Sequence, residues 1–208
     1  MIRNNILCTG RVMHKNFNAE RKSLFIVLGV FTPKYVAVSG NPEDRFNHDF
    51  PGFMMEGDKA VEANDMFEVN DYISIEGHIN TEEYMRPMGH GNYRKEWRTL
   101  LIADEIYLDG SHSGFNNVSL AGEVIHTYKN ENSNNSLYIV TLKMDKDKGE
   151  YPDRANFVYF DRELELEPKI GDYISVNGII QTKKDVDDNG NARYLTSIIA
   201  RYLSIERA

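Results

Sequence analysis

Apolar and polar residues alternate with a period of two along Asp71-Tyr72-Ile73-Ser74-Ile75-Glu76-Gly77-His78-Ile79, and the pattern returns as Asp172-Tyr173-Ile174-Ser175-Val176-Asn177-Gly178-Ile179-Ile180. β-Branched Ile and Val recur on one face of both copies, which predicts half-buried strands. A glycine at the same place in each predicts a bulge or tight bend, where side-chain bulk would obstruct coiling. One strand occurring twice in matching surroundings predicts a duplicated all-β chain.

The rest of the chain repeats in the same order. Asn5-Ile6-Leu7-Cys8-Thr9-Gly10-Arg11-Val12-Met13-His14 matches Asn117-Val118-Ser119-Leu120-Ala121-Gly122-Glu123-Val124-Ile125-His126 at a constant offset of 112. Polar turns follow, then apolar strands over 24–31 and 137–144, and third strands over 34–38 and 155–160. The connection to the fourth strand differs most. Its early part in the first half contains Pro42 and Pro51 and reads as loop. Phe46, Phe50, Phe53, Met54, Met55 and Met66 lie in this 39–66 insert, where the alternatives are a docking surface and, as the plainer reading, a small satellite core of their own. Residues 58–66 predict a short helix with Asp58 as N-cap. In the second half, 161–170 leaves room for one helical turn at most. Each fourth strand leads through a polar hairpin to a last strand, over 98–108 and 194–205.

Each half is thus five strands with a helix or turn between the third and fourth. A five-stranded Greek-key barrel of this size is the OB-fold, which leaves one face and its loops for ligands. The predicted architecture is all-β: two tandem OB barrels, 1–110 and 111–208, joined by the flexible linker Gly110-Ser111-His112-Ser113-Gly114.

Composition narrows the class. The 41% hydrophobic content suffices for two small cores, and 27% charged residues suit a soluble surface. No apolar run approaches the ~20 residues that span a bilayer, so no membrane partner is expected. The N-terminal residues lack the apolar core of a signal peptide. A single cysteine, Cys8, forms no internal disulfide, which fits a cytoplasmic location. Cys8 lies in a predicted strand and is expected to be a buried, inert thiol. Net charge is −8; residues 1–110 hold 12 basic against 17 acidic residues (−5), and 111–208 hold 12 against 15 (−3). This counts against a globally basic nucleic-acid binder, although binding depends on the local field of a groove.

Both halves resemble the single-stranded DNA-binding protein family of bacteria and their phages. The resemblance rests on Asn-x-x-x-x-Gly-x-Val (5–12 and 117–124), on Gly-Asp-Tyr-Ile-Ser-Val-x-Gly (171–178), on Ile-Ala-Asp-Glu-Ile (102–106) and on Asn-Gly-Asn-Ala-Arg-Tyr-Leu-Thr (189–196). The first half has Asn70 where the second has Gly171. The resemblance implies an OB-fold protein that coats single-stranded DNA in replication, recombination and repair. Family members of the bacterial type carry one such domain, assemble four barrels and end in an acidic tail. This chain holds two barrels and ends Leu203-Ser204-Ile205-Glu206-Arg207-Ala208, so tail-mediated recruitment is not expected. The duplicated layout resembles a phage or mobile-element version, acting as monomer or homodimer.

Non-specific single-strand binding needs aromatic faces for stacking beside cations that track phosphate. The clearest interleaving is the first hairpin, with Tyr84, Arg86, Tyr93, Arg94, Lys95, Trp97 and Arg98. Tyr84 also falls where the family resemblance implies a stacking aromatic. The plainer alternative is that Tyr93 and Trp97 pair across the hairpin. In the second half Lys183, Lys184 and Arg193 flank the corresponding hairpin, with no aromatic at the place of Tyr84. In Asn156-Phe157-Val158-Tyr159-Phe160, alternation puts Phe157 and Tyr159 on one face and Val158 and Phe160 on the other. One set is core, and the sequence leaves open which; Phe157 and Tyr159 are kept as interface candidates. Tyr35 has the same status. Lys15, Lys22, Lys34 and Lys129 sit on early turns or strand edges, where solvated charge is the plainer reading; Lys34 stays an interface candidate beside Tyr35.

No Gly-x-x-x-x-Gly-Lys-Ser/Thr loop and no zinc spacing is present. Asp185-Val186-Asp187-Asp188-Asn189-Gly190 begins like a calcium loop, but Thr196 stands where Glu is needed, and Asn189-Gly190 reads as a hairpin turn. No catalytic residue, metal or cofactor is expected. The partner expected is single-stranded DNA, together with replication or recombination proteins. The rival reading is an OB-fold adaptor of a primosome or replisome, favoured by the acidic charge and the unequal aromatics of the halves.

Overall fold

In the computed structural model of the chain, residues 3–31, 48–89, 92–130, 137–144, 152–160, 167–186 and 192–206 are described. The strands of the first half are β1 (Asn4–Asn18), β2 (Ser23–Phe31), β3 (His48–Asp49), β4 (Gly52–Glu56), β5 (Tyr72–Gly89) and β6 (Asn92–Leu108), with helix α1 (Asp58–Met66) between β4 and β5. Those of the second half are β7 (Phe115–Asn130), β8 (Leu137–Met144), β9 (Asp153–Phe160), β10 (Tyr173–Val186) and β11 (Ala192–Glu206). Each half closes on itself. β1 pairs with β2 and β5, β2 with β4, β5 with β6, and a parallel β4–β6 contact at Phe53↔Leu101 shuts the barrel. In the second, β7–β8, β8–β9, β7–β10 and β10–β11 pair, and a parallel β9–β11 contact at Phe157↔Ile198 does the same. The result is two OB barrels in tandem.

The repeated motifs explain how the strands bend. Both barrels break register at the same place in the duplicated strand, between Glu76 and Gly77 and between Asn177 and Gly178. A Cβ on Gly77 would stand 1.9 Å from the Ile102 carbonyl oxygen, and one on Gly178 2.4 Å from that of Ile199. Only glycine permits this approach. Just past each bulge a side-chain amide holds the strand: Asn4 Nδ2 donates to Ile79 O (2.8 Å) and Asn4 Oδ1 accepts from Ile79 N (2.9 Å). Asn116 does the same to Ile180, at 2.7 and 2.8 Å.

The apolar side of every strand fills an interior. Ile6, Leu24, Ile26, Phe53, Ile73 and Ile75 are fully buried in the first barrel, and Val118, Val140, Leu142, Phe157 and Ile174 in the second, each such side chain contributing about 1.5–3 kcal/mol. Cys8 is among them, and burial, with the nearby Asp49 carboxylate adding to it, pushes its thiol far above the ordinary range.

Several expectations change. The strand expected over 34–38 lies outside the described residues; the segment paired with β2 in the third-strand position is β4, which begins at the end of what reads as loop. Phe53 and Met55 therefore belong to the barrel core rather than to a satellite core. Helix α1 forms as expected, but Gly57 (φ 78°) is its N-cap, and Asp58, inside the first turn, accepts from Lys22 Nζ at 2.7 Å. Lys15 is not a solvated charge: its Nζ donates to the carbonyls of Asn64 and Phe67 (2.6 Å each), satisfying the C-terminal end of α1. The linker is tied down, with Ser111 bonded to Asp109 and Ser113 and with His112 edge-on to Tyr72 at 4.7 Å.

The barrels join through antiparallel β1–β7, where Ile6 faces its own counterpart Val118, and Asn4↔Leu120 and Cys8↔Asn116 are mirror pairings. A local twofold axis follows. Two reciprocal locks obey it. Asp49 Oδ1 accepts from Thr182 N (2.7 Å) while Phe50 N donates to Thr182 Oγ1 (2.7 Å). Asp153 Oδ1 accepts from Thr81 N (2.9 Å) while Arg154 N donates to Thr81 Oγ1 (2.8 Å). Each barrel thus fastens the hairpin of the other.

Candidate nucleic-acid interface

With Leu24, Ile26, Leu28 and Val30 buried, alternation turns Phe25, Val27 and Phe31 outward from β2. On the neighbouring segment Asp49, Pro51, Phe53 and Met55 point inward, which leaves His48, Phe50 and Met54 outside. The outer face of these two strands carries rings in contact. Phe31 meets His48 edge-on at 5.9 Å, His48 lies 6.4 Å from Phe50, and His14 approaches Phe25 at 6.3 Å. Gly52 lets the Phe25 ring lie against the backbone, since a Cβ there would be 2.8 Å from Phe25 Cζ. Phe31 is 43% exposed, and Phe25 and Phe50 are half-buried. This is the surface, strands two and three, on which OB barrels take oligonucleotides.

The β5–β6 hairpin continues from it. Counting out from the buried Ile79↔Leu101 pair, Tyr84 and Arg98 take the outward positions, and Met85, Tyr93 and Lys95 the opposite ones. The Arg98 guanidinium lies 5.7 Å over the Tyr84 ring, a cation–π contact, and donates from Nε and Nη2 to Glu82 Oε2 at 3.0 and 2.7 Å. Lys95 pairs with Glu83. Lys95 and Arg98 therefore already face carboxylates. Arg94 is exposed, and Tyr93 is 64% exposed on the other side from Tyr84. Tyr93 and Trp97 both stand on β6, so they do not pair across the hairpin. The backbones of Arg86 and Trp97 are paired with Arg94 and Glu83, while their side chains lie outside the described part of the structure.

In the second barrel the expected aromatic pair is corrected. Phe157 and Tyr159 are 0% exposed, Tyr159 stacks on Tyr138 at 4.7 Å inside the barrel, and neither ring reaches a ligand. The alternate positions Asn156 and Val158 face outward. Register matches Ile139 to Phe25, Val158 to Met54, Asn156 to Gly52 and Arg154 to Phe50, so this face lacks the rings of the first. Lys183 is exposed, opposite Leu195. Lys184 and Arg193 pair with Tyr194 and Asp185 through their backbones, and their side chains, like that of Phe160, lie outside the described part. Lys34 and Tyr35 lie outside the described residues altogether.

The sequence reading missed Phe25, Phe31, His48 and Phe50. A signal for the first two existed in the other copy, where Thr141 and Lys143 mark the outward set of β8 that 24–31, apolar throughout, conceals. Among the described residues no three His, Cys, Asp or Glu side chains converge as metal ligands, and no helix is long and apolar enough to cross a membrane.

No protein-family model and no curated protein sequence matches the chain. Solved structures do. The single-stranded DNA binding protein from Thermus aquaticus superposes over 99% of this chain and 93% of its own, with a TM-score of 0.70 at 16% identity. A deletion variant of that protein covers 99% and 95%, with a TM-score of 0.67 at 15% identity. These likenesses establish the two-barrel fold.

Proposed function

We propose that this protein binds single-stranded DNA with little sequence preference, coating it during replication, recombination or repair. The observation that carries the reading is the outward row of Phe25, Phe31, His48 and Phe50 on strands two and three of the first barrel, continued by Tyr84 under Arg98. Unpaired bases stack on such rings at about 1–3 kcal/mol each, with little dependence on base identity. The likeness to a single-stranded DNA binding protein of Thermus aquaticus supports it. Residues 1–110 and 111–208 are read as two domains that act as one unit, because each holds the other's hairpin through an Asp–Thr lock. Action is passive: occupancy of exposed strand draws the duplex equilibrium toward single strands by mass action.

The adaptor reading keeps one specific support. Met85, Met88 and Tyr93 are exposed on a hairpin whose Lys95 and Arg98 are matched by its own acids, a surface suited to protein as well as to DNA. Titration of labelled oligo-dT against a duplex control at two salt concentrations separates the two. Single-strand-selective binding that weakens with salt is expected; no binding under either condition would leave the adaptor.

A further inference from the structure

Across the local twofold axis, between the barrels, lies a cleft of ≈ 180 Å³. Phe25, Met54 and Leu101 line it from the first barrel, and Asn156, Thr196 and Ile198 from the second. The cleft is smaller than the roughly 300–1,000 Å³ pockets that enclose drug-sized ligands, so it suits a single ring system. Its chemistry is divided. The ring of Phe25 and the thioether of Met54 give an apolar wall, whereas the amide of Asn156 and the hydroxyl of Thr196 give a hydrogen-bonding one. Asn156 Oδ1 accepts from Thr141 Oγ1 at 2.7 Å, an arrangement that turns the amide NH2 toward other acceptors. No charged side chain is among the described residues of the lining, which argues against phosphate. A flat apolar face with polar atoms along its edge is what a nucleobase presents. Phe25 belongs both to this cleft and to the outer aromatic row, so a strand lying on that row passes its mouth.

We propose that the cleft receives one unpaired base of a bound single strand where the strand crosses from the first barrel to the second. The inference rests on the single-strand reading above. Asn156 and Thr196 hold the edge of the base, and Phe25 and Met54 cover its face. The composite walls make the two barrels one binding unit rather than two sites on a tether.

The test uses the full chain with labelled oligo-dT, and with the same oligonucleotide carrying 4-thiothymidine for photocrosslinking. Asn156→Leu fills the mouth from an outward position and removes the amide. Expected are affinity about tenfold lower, ~1.4 kcal/mol, an unchanged salt slope because no phosphate contact is lost, and crosslinks to the β9 or β11 peptide holding Asn156 or Thr196 that disappear in the variant. Thr196→Leu, made separately, should give the same result and guards against a folding defect in one variant. Wild-type affinity in both variants, with crosslinks confined to β2 and the β5–β6 hairpin, would overturn the cleft while leaving single-strand binding intact. Failure of the unaltered chain to bind oligo-dT would remove both.

Discussion

Phe50 of the first barrel and Arg154 of the second hold one place in the fold, each donating its amide to a threonine of the opposite hairpin. One is a ring and the other a cation. The outer faces differ at other matched places too, with Phe25 against Ile139, Met54 against Val158 and Glu82 against Lys183. Inward positions diverge far less: Phe53 and Phe157, Ile79 and Ile180, Asp49 and Asp153 are the same residue types in the same roles. Packing at native density constrains an interior to a narrow set of shapes, and reciprocal locks constrain the seam. The solvent face is under no such constraint and records what each barrel contacts. In this molecule the first barrel offers stacking surface and the second a more polar, cationic one.

The strongest way to break the comparison is at the frame the barrels share. Gly77→Ala places a methyl 1.9 Å from a carbonyl oxygen, and Gly178→Ala places it at 2.4 Å. The strand cannot relax without opening the β5–β6 or β10–β11 ladder. Losses of about 3 kcal/mol for Gly77→Ala and about 2 kcal/mol for Gly178→Ala are expected, at the upper end for single substitutions. Urea unfolding followed by circular dichroism reads them. Two midpoints indistinguishable from the parent would show that the glycines are incidental and that the frame is not what the halves share.

The middle effect concerns the faces. Replacing Phe25 by its second-barrel counterpart, Phe25→Ile, removes one stacking ring and is expected to weaken oligo-dT binding by about 1–3 kcal/mol, read by fluorescence anisotropy. The converse, Ile139→Phe, should strengthen binding by less than about threefold. The backbone on which a ring would lie is covered at that place, because Asn156 stands where the first barrel has Gly52. A large improvement from Ile139→Phe would mean that the faces differ in residue choice alone and not in shape.

Legibility in the sequence follows the same boundary. The frame was readable because duplication writes it twice: the bulge glycines, the Asn4 and Asn116 clamps and the strand order all stand in matched positions. The segment carrying β3 and β4 was not. Phe50 and Met54 face out while Phe53 and Met55 face in, so both faces are apolar and no period-two contrast survives. Asp49, a buried carboxylate, and Pro51 add polar and turn signals at inward positions, and the reason for Asp49 lies in Thr182, far along the chain. The same lack of contrast hid Phe25 and Phe31 in β2. Phe157 and Tyr159 were the reverse error, since an aromatic-rich strand fits core and ligand face equally until burial decides.

The smallest expected effect lies in the hairpin charges. Glu82 occupies the place of Lys183, and its carboxylate takes two bonds from Arg98. Both partners are more than a third exposed, so the pair contributes little to stability. It matters for binding, because a phosphate must displace a carboxylate to reach that guanidinium. Glu82→Lys gives the first hairpin the charge of the second and releases Arg98 from its acid. Affinity for oligo-dT at low salt should rise about threefold, and the slope of log K against log salt should steepen by about 0.7 for each further phosphate neutralised on a single strand. A change in affinity without a change in slope would place the Tyr84–Arg98 side of the hairpin off the path of the strand, leaving the ring row of β2 to β4 as the whole of the first barrel's binding surface.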